Sequence, residues 1–407
     1  MPIRSERALL TGLALYAVLI LGSQASMSIG IGILLGFAFY AFGGAKALWN
    51  AVVSAAREPE MARYLRATNL ITLACFLSLL FAHFTPVVIG GMKPEVNFLK
   101  DMWKAWYFYW PLMTVPCVLA LSLSSRRRLI QIFLAAFAVV SVIGCAQYFT
   151  GWPRPQSIPG TNRFHVTVFP GHHLSFASIA IFPFFMAVAE CFEPKWIKRS
   201  WAIPLAIVGG LAIFGTYSRQ VWLSLPIGLF ISAVVSLPKR AAIAAFISGV
   251  LLIIGLMQVP MIHDRAMNGM GIGERVELWK INTEFFKLRP LTGIGWHHNL
   301  QMAGAYYHTY RPEIAAPFVG HAHSNFFEFL GGLGLCGVAA YFFWTWTNLR
   351  QAYRAGAGFF AAWVVFHLNG LTQVNLWESK VMHSMMWSIA LILVVLITRR
   401  EEEAGRK

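Results

Sequence analysis

The sequence predicts an all-α, polytopic membrane protein with about twelve transmembrane helices and a long, partly helical loop on the face away from the cytoplasm. Three observations carry this. Of the 407 residues, 57% are hydrophobic and only 12% are charged, about half the charged share of a soluble domain. The apolar residues come in runs of about twenty, long enough to cross a hydrocarbon core of about 30 Å as helices. Basic residues gather in alternate gaps between the runs, as they do in cytoplasmic loops.

The runs fall near 8–22, 27–44, 70–84, 106–123, 129–149, 174–192, 201–217, 221–237, 241–257, 323–346, 355–371 and 383–397. The first lacks a small-residue cleavage site and further runs follow at once, so it reads as a span and not as a cleavable signal. With Arg4 and Arg7 in the cytoplasm, the gaps holding Arg57 and Arg63, Arg126 to Arg128, Lys195 to Arg199, Lys239 and Arg240, and Arg350 and Arg354 fall on the same side as the Arg399–Arg400 tail. Both termini are then cytoplasmic. The expected layout is transmembrane helices 1–9 over 1–257, an outer loop over 258–322, and helices 10–12 with a cytoplasmic tail over 323–407. The net charge of +16 follows this asymmetry, so membrane lipids and not nucleic acid are the expected partners. The five cysteines lie in apolar runs or at their ends with no CxxC spacing, which argues against a disulfide framework or a cysteine zinc site.

The outer face holds the longer segments: 85–105, 150–173, 258–320 and 372–382. Some sixty residues in one loop are too many for a connector. Within it, residues 277–288 (ELWKINTEFFKL) mix apolar and charged positions, as an interfacial helix does. All 12 histidines fall in outer loops or near the outer ends of spans, and histidine is the side chain suited to proton transfer near neutral pH.

Nucleotide chemistry is not expected: there is no DxD pair, no Walker A motif and no GxGxxG after a strand. Close carboxylate pairs for glycoside hydrolysis are also lacking. Adjacent histidines (His172 and His173, His297 and His298) do not readily chelate one ion, and carboxylate co-ligands are scarce, so no metal and no cofactor is expected. Arginine and histidine remain. Arg219, in TYSRQ, sits in a tight outer turn; it either pairs with a lipid phosphate, which its fork geometry matches, or snorkels to the interface. Arg275, Arg265 and Arg289 in the long loop and Arg163 in the preceding one form a pyrophosphate clamp if several converge; singly each is a solvated surface charge. His323 stands where the long loop re-enters the membrane, with Ser324 and Asn325 beside it, and His321 competes with it. Glu328, five residues on, does not share a helix face with His323.

These segments resemble the O-antigen ligase family, within the wider O-antigen ligase and polymerase group. TYSRQVWLSL is similar to the family's T-x-S-R segment. RVELWKINTEFFKLRPLTGIGW resembles its Arg-x-x-x-Trp helix followed by Pro-x-x-Gly-x-Gly. HAHSNFFEFLGGLGLCG resembles its His-Asn segment, with Gly334 and Gly337 at the spacing that picks out His323. Ser324 stands where the family often has Asn. The likeness spans roughly residues 210–345.

The resemblance implies a glycosyltransferase of the Gram-negative inner membrane with a periplasmic active site. It would move O-antigen from undecaprenyl pyrophosphate to a sugar of lipid A–core. His323 would be the base, with His321 and Asn325 as secondary candidates. Arg219, Arg275, Arg163 and Arg265 would bind pyrophosphate, with Arg289 behind them. The reaction would be inverting and metal-independent. An O-antigen polymerase, a protein glycan ligase and, outside enzymes, a lipid-linked glycan transporter are the alternatives.

Overall fold

The computed structural model describes residues 4–258, 263, 272–313 and 319–405. In chain order the helices are α1 (Glu6–Leu19), α2 (Gln24–Phe42), α3 (Ala45–Ala56), α4 (Pro59–Phe84), α5 (Phe98–Met102), α6 (Pro111–Leu119), α7 (Leu123–Thr150), α8 (His173–Phe192), α9 (Arg199–Phe214), α10 (Arg219–Ser236), α11 (Lys239–Met257), α12 (Ile272–Leu288), α13 (Asn299–Tyr310), α14 (Asn325–Ala355), α15 (Ala357–Gly370) and α16 (Ser379–Gly405). A 3-10 turn, Trp103–Tyr109, precedes α6. The protein is all-α and polytopic.

Among the described residues seven helices are long and apolar enough to cross a membrane: α2, α4, α7, α8, α10, α14 and α16. The count of about twelve therefore does not appear as twelve full-length spans. The run at 8–22 forms only the 14-residue α1, about 21 Å long at 1.5 Å per residue. The run at 106–123 divides into the 3-10 turn and the short α6, because Pro111 starts a new helix at its first turn and Pro116 has no N–H to donate. α9 and α15 are apolar but shorter. α3 forms inside what the sequence suggested was a connecting loop.

Burial separates the layers. In α8 and α16, 83% and 89% of the spanning window is buried, against 33% in α2 and 28% in α10. A helix apolar all round belongs at the centre, and α8 and α16 form the core around which the others pack. The polar ends then divide. At one end the basic segments converge: Arg400 and Arg63 reach the buried Glu60 at 3.1 and 2.9 Å, Arg126 donates to Thr398, and Ser122 donates to Glu6. At the other end Ser175 donates to Glu378, Lys380 to the Pro170 carbonyl and Arg275 to the Thr372 carbonyl.

α14 is not one helix. At Gly334 the backbone turns to φ 62°, ψ −158°, a region open to glycine alone. An unbroken helix would bond Gly331 O to the amide of 335 and Gly332 O to that of 336. The segment 290–295 takes all four groups instead. Ile294 N–H donates to Gly331 O (3.0 Å) and Gly295 N–H to Gly332 O (3.1 Å); Leu335 N–H donates to Pro290 O (2.8 Å) and Cys336 N–H to Leu291 O (3.1 Å). Ser78 on α4 adds a bond to Gly332 O (2.7 Å). Irregular backbone at depth is tolerated only where protein satisfies it in this way.

The approach leaves no room for a side chain. A Cβ on Gly293, which has φ 65°, would lie 2.3 Å from the Gly332 carbonyl carbon. Gly293→Ala is expected to destabilise the protein by about 3 kcal/mol or more, while Gly304→Ala, whose Cβ would meet only Val319 at 3.8 Å, leaves stability unchanged or slightly raised. Thermal unfolding of both purified variants in detergent checks this.

Candidate functional site

The site begins with the register between α12 and the first half of α14. Trp279 stacks on Phe327 with ring centroids 5.2 Å apart and planes 10° from parallel. Asn282, nearly one turn further, packs on Gly331. One turn before Trp279 is Arg275, and one turn before Phe327 is His323. Parallel packing carries Arg275 toward the turn that precedes α14, where its charge acts on His323.

His323 has φ 48°, strained for a non-glycine residue. Its turn is fixed from both sides. The Glu328 carboxylate accepts the Ala322 N–H at 2.7 Å, His321 Nδ1 accepts the His323 N–H at 3.2 Å, and Ser324 caps α14. Glu328 thus holds the turn through its backbone, and does not act on the His323 ring as an i,i+5 partner.

The two imidazoles, with centroids 4.2 Å apart, are not equivalent. His323 Nδ1 lies 3.1 Å from Gln373 Oε1. An amide oxygen only accepts, so Nδ1 carries the proton and Nε2 keeps the lone pair. His321 Nδ1 already accepts a backbone N–H, so in the neutral ring its Nε2 carries the proton. His323 is the ring poised to accept a proton, and His321 the one poised to donate a hydrogen bond. Burial and the neighbouring His323 bring the His321 pKa down to about 4. Burial also lowers that of His323; the Gln373 bond opposes this and the Arg275 charge adds to it. Both rings are neutral near pH 7.

The segment 372–378 closes the site, and sequence reasoning assigned it no role. Thr372 O accepts from Arg275 at 3.0 Å, Gln373 orients His323, and Asn375 exchanges bonds with Asn325 (2.6 and 3.1 Å). Trp377 packs edge-on against Trp296 at 4.1 Å. The clustered amides of TQVN between two apolar runs were the available signal, since buried amides need partners. Asn325, fully buried, has its side chain bonded to this segment.

The remaining candidates divide. Arg219 opens α10. That helix runs antiparallel to α15, with Ser224 bonded to Asn369 at 2.7 Å. Five residues back from Ser224 is about 7.5 Å of helix, which brings Arg219 to the level of Thr372 and Arg275. A run of rings also links the two regions: Tyr217 meets His165 at 5.9 Å, His165 stacks on His173 at 4.7 Å, and His173 stacks on His172 at 4.7 Å, whose charge acts on His323. Arg163 lies over the Phe149 ring at 4.7 Å, at the end of α7. Arg289 donates to the Phe81 and Thr85 carbonyls and so caps the C-terminus of α4. Arg265 lies outside the described residues.

Residues 204–342 match the family model described as O-Antigen ligase; the earlier spans and the closing segment 372–378 lie outside the match. No curated protein matches the chain.

The electrostatics can be read directly. Arg275→Gln removes a positive neighbour and should raise the His323 pKa, whereas Gln373→Ala removes a bond that favours the charged ring and should lower it further. NMR titration of protein carrying 13C-labelled histidine measures both directions.

Proposed function

We propose that this protein is an O-antigen ligase, which transfers a glycan from undecaprenyl pyrophosphate to lipid A–core on the periplasmic face of the inner membrane. The observation that carries this is the pairing of a neutral, oriented imidazole with an arginine one helix over, inside the segment that matches the ligase family. The end of the bundle that collects the basic segments is then cytoplasmic, and the histidine-bearing end is periplasmic. The layout of spans over 1–257, a periplasmic loop over 258–322 and spans over 323–407 belongs to the same proposal.

The chemistry follows from the side chains. His323 Nε2 takes the proton from an acceptor sugar hydroxyl. The oxygen attacks the anomeric carbon of the donor as the bond to the pyrophosphate oxygen breaks, so the anomeric centre inverts. Undecaprenyl pyrophosphate leaves with the bonding pair. Arg275 and Arg219 meet the charge that develops on it, and the proton remains on His323 until solvent removes it. Arg265 is a further candidate contact, and Arg163 a weaker one because ring faces hold it. Pyrophosphate is already a good leaving group, so the reading needs neither an added general acid nor a metal.

Purified full-length protein with lipid-linked glycan and lipid A–core tests this. His323→Ala should lower transfer by roughly 100-fold or more, and Arg275→Ala and Arg219→Ala should each lose about 100-fold, all with wild-type yield and melting. Unimpaired transfer by His323→Ala would remove it as the base. Gene deletion separates the closest rival: a ligase leaves bare core and accumulated lipid-linked polymer, a polymerase leaves core with one repeat unit.

The pH dependence has a defined sign. The base works neutral, and its pKa lies below the ordinary 6.5. The acid limb of kcat/KM should therefore have its midpoint below pH 6.5. In Arg275→Gln, if residual activity permits, this acid limb should move to higher pH.

A further inference from the structure

Beside His321 and Gln373 opens a cavity of about 1640 Å³. This exceeds the roughly 300–1,000 Å³ of a site for one drug-sized ligand and leaves room for several sugar rings. It is lined by residues of the segment 86–104, which lies outside the family match, together with His297, Gln301, Trp377 and Glu378.

The charges lining it are not equally engaged. Asp101 accepts the Asn97 N–H at 2.8 Å and faces His298 at 3.4 Å. Glu328 takes the Ala322 N–H, Glu378 takes the Ser175 hydroxyl, and Lys380 is bound to the Pro170 carbonyl. Lys104 differs. It is half-buried, lines the cavity, and has no hydrogen bond or ion pair among the described residues. Burial lowers its pKa, with Glu328 and Glu378 acting in the opposite sense. Lys93 and Lys100 lie exposed along the same segment and are opposed by one exposed carboxylate, Glu95. A half-buried ammonium without a partner is costly unless a ligand supplies the anion. The exposed Trp103 and the edge of the buried Trp377 also line the cavity.

We propose that this cavity is the acceptor subsite and receives a phosphorylated oligosaccharide, with Lys104 as the residue that reads a phosphate on it. The proposal rests on the glycan-transfer reading above and adds the substrate class of its second site. The His321 side of the catalytic pair faces this cavity, so a hydroxyl presented from it comes within reach of the base.

The test measures binding apart from turnover. Delipidated core oligosaccharide, intact or treated with phosphatase, is titrated against the full-length protein in neutral detergent. Phosphate removal should weaken binding about tenfold or more, the range of a charge-assisted hydrogen bond. Lys104→Gln should weaken binding of the intact form to a similar degree and leave that of the treated form unchanged; Lys104→Arg should restore most of it. Equal binding of the intact form by wild type and Lys104→Gln, or equal losses for both forms, overturns the proposal. So does full displacement of the oligosaccharide by phosphatidylglycerol vesicles, which would make the site one for lipid headgroups. Transfer assays separate the two readings. If transfer proceeds but Lys104→Gln leaves the acceptor KM unchanged, the subsite is wrong and the function stands. If oligosaccharide binds as stated and no transfer occurs, the function fails and the subsite stands.

Discussion

The exchange of hydrogen bonds at Gly334 is the constraint on which the rest depends. Four backbone groups of α14 lose their helical partners there and find them in the segment 290–295. Unsatisfied backbone groups in a buried bundle would each cost on the order of 1–3 kcal/mol, so the break and the inserted segment exist only together. The insertion draws the end of α12 onto α14. It also frees residues 325–333 from the direction of the longer half-helix behind them, so that their N-terminus, with His323 before it, can be aimed separately.

From this lock the site is assembled by register. Asn282 on Gly331 and Trp279 on Phe327 are successive contacts of two parallel helices, and Arg275, one turn earlier, acts on His323 in the turn before α14. The segment 372–378 then closes over the open side through three side-chain or carbonyl contacts, to Arg275, His323 and Asn325. The imidazole is thereby given one tautomer, one orientation and a buried setting that, with the Arg275 charge adding to it, favours the neutral ring. Rigid placement of this kind is what a proton-accepting group requires.

The arginines show why residue type alone misleads. Arg275 and Arg289 lie on the same helix or at its end, and both met the criteria for an anion contact. Arg289 is consumed by the orphan carbonyls at the end of α4, whose negative dipole end attracts a cation. Arg163 is held by aromatic rings. Asn325, two residues from His323 in sequence, turns inward to fasten a neighbouring segment. Neighbours in sequence thus divide between chemistry and scaffold according to which buried groups need a partner.

Much was decided by the sequence itself. Runs of about twenty apolar residues mark a polytopic, all-α membrane protein, and the segregation of basic residues divides the polar gaps into two sets, because both are one-dimensional properties of the chain. The candidates His323, Arg275 and Arg219 came from their outer-face positions together with the resemblance to the ligase family, and the structure brings the charge of Arg275 to bear on His323. Tertiary structure alone decided which apolar runs form full-length spans, since prolines and short helices redistribute them. It also decided that α14 is broken, that His323 and not His321 keeps its Nε2 lone pair, that Gln373 orients it, and that Lys104 faces a cavity. These depend on contacts between segments far apart in the chain, such as Gln373 with His323 or Gly332 with Gly295, and such pairings leave no periodic trace along the chain.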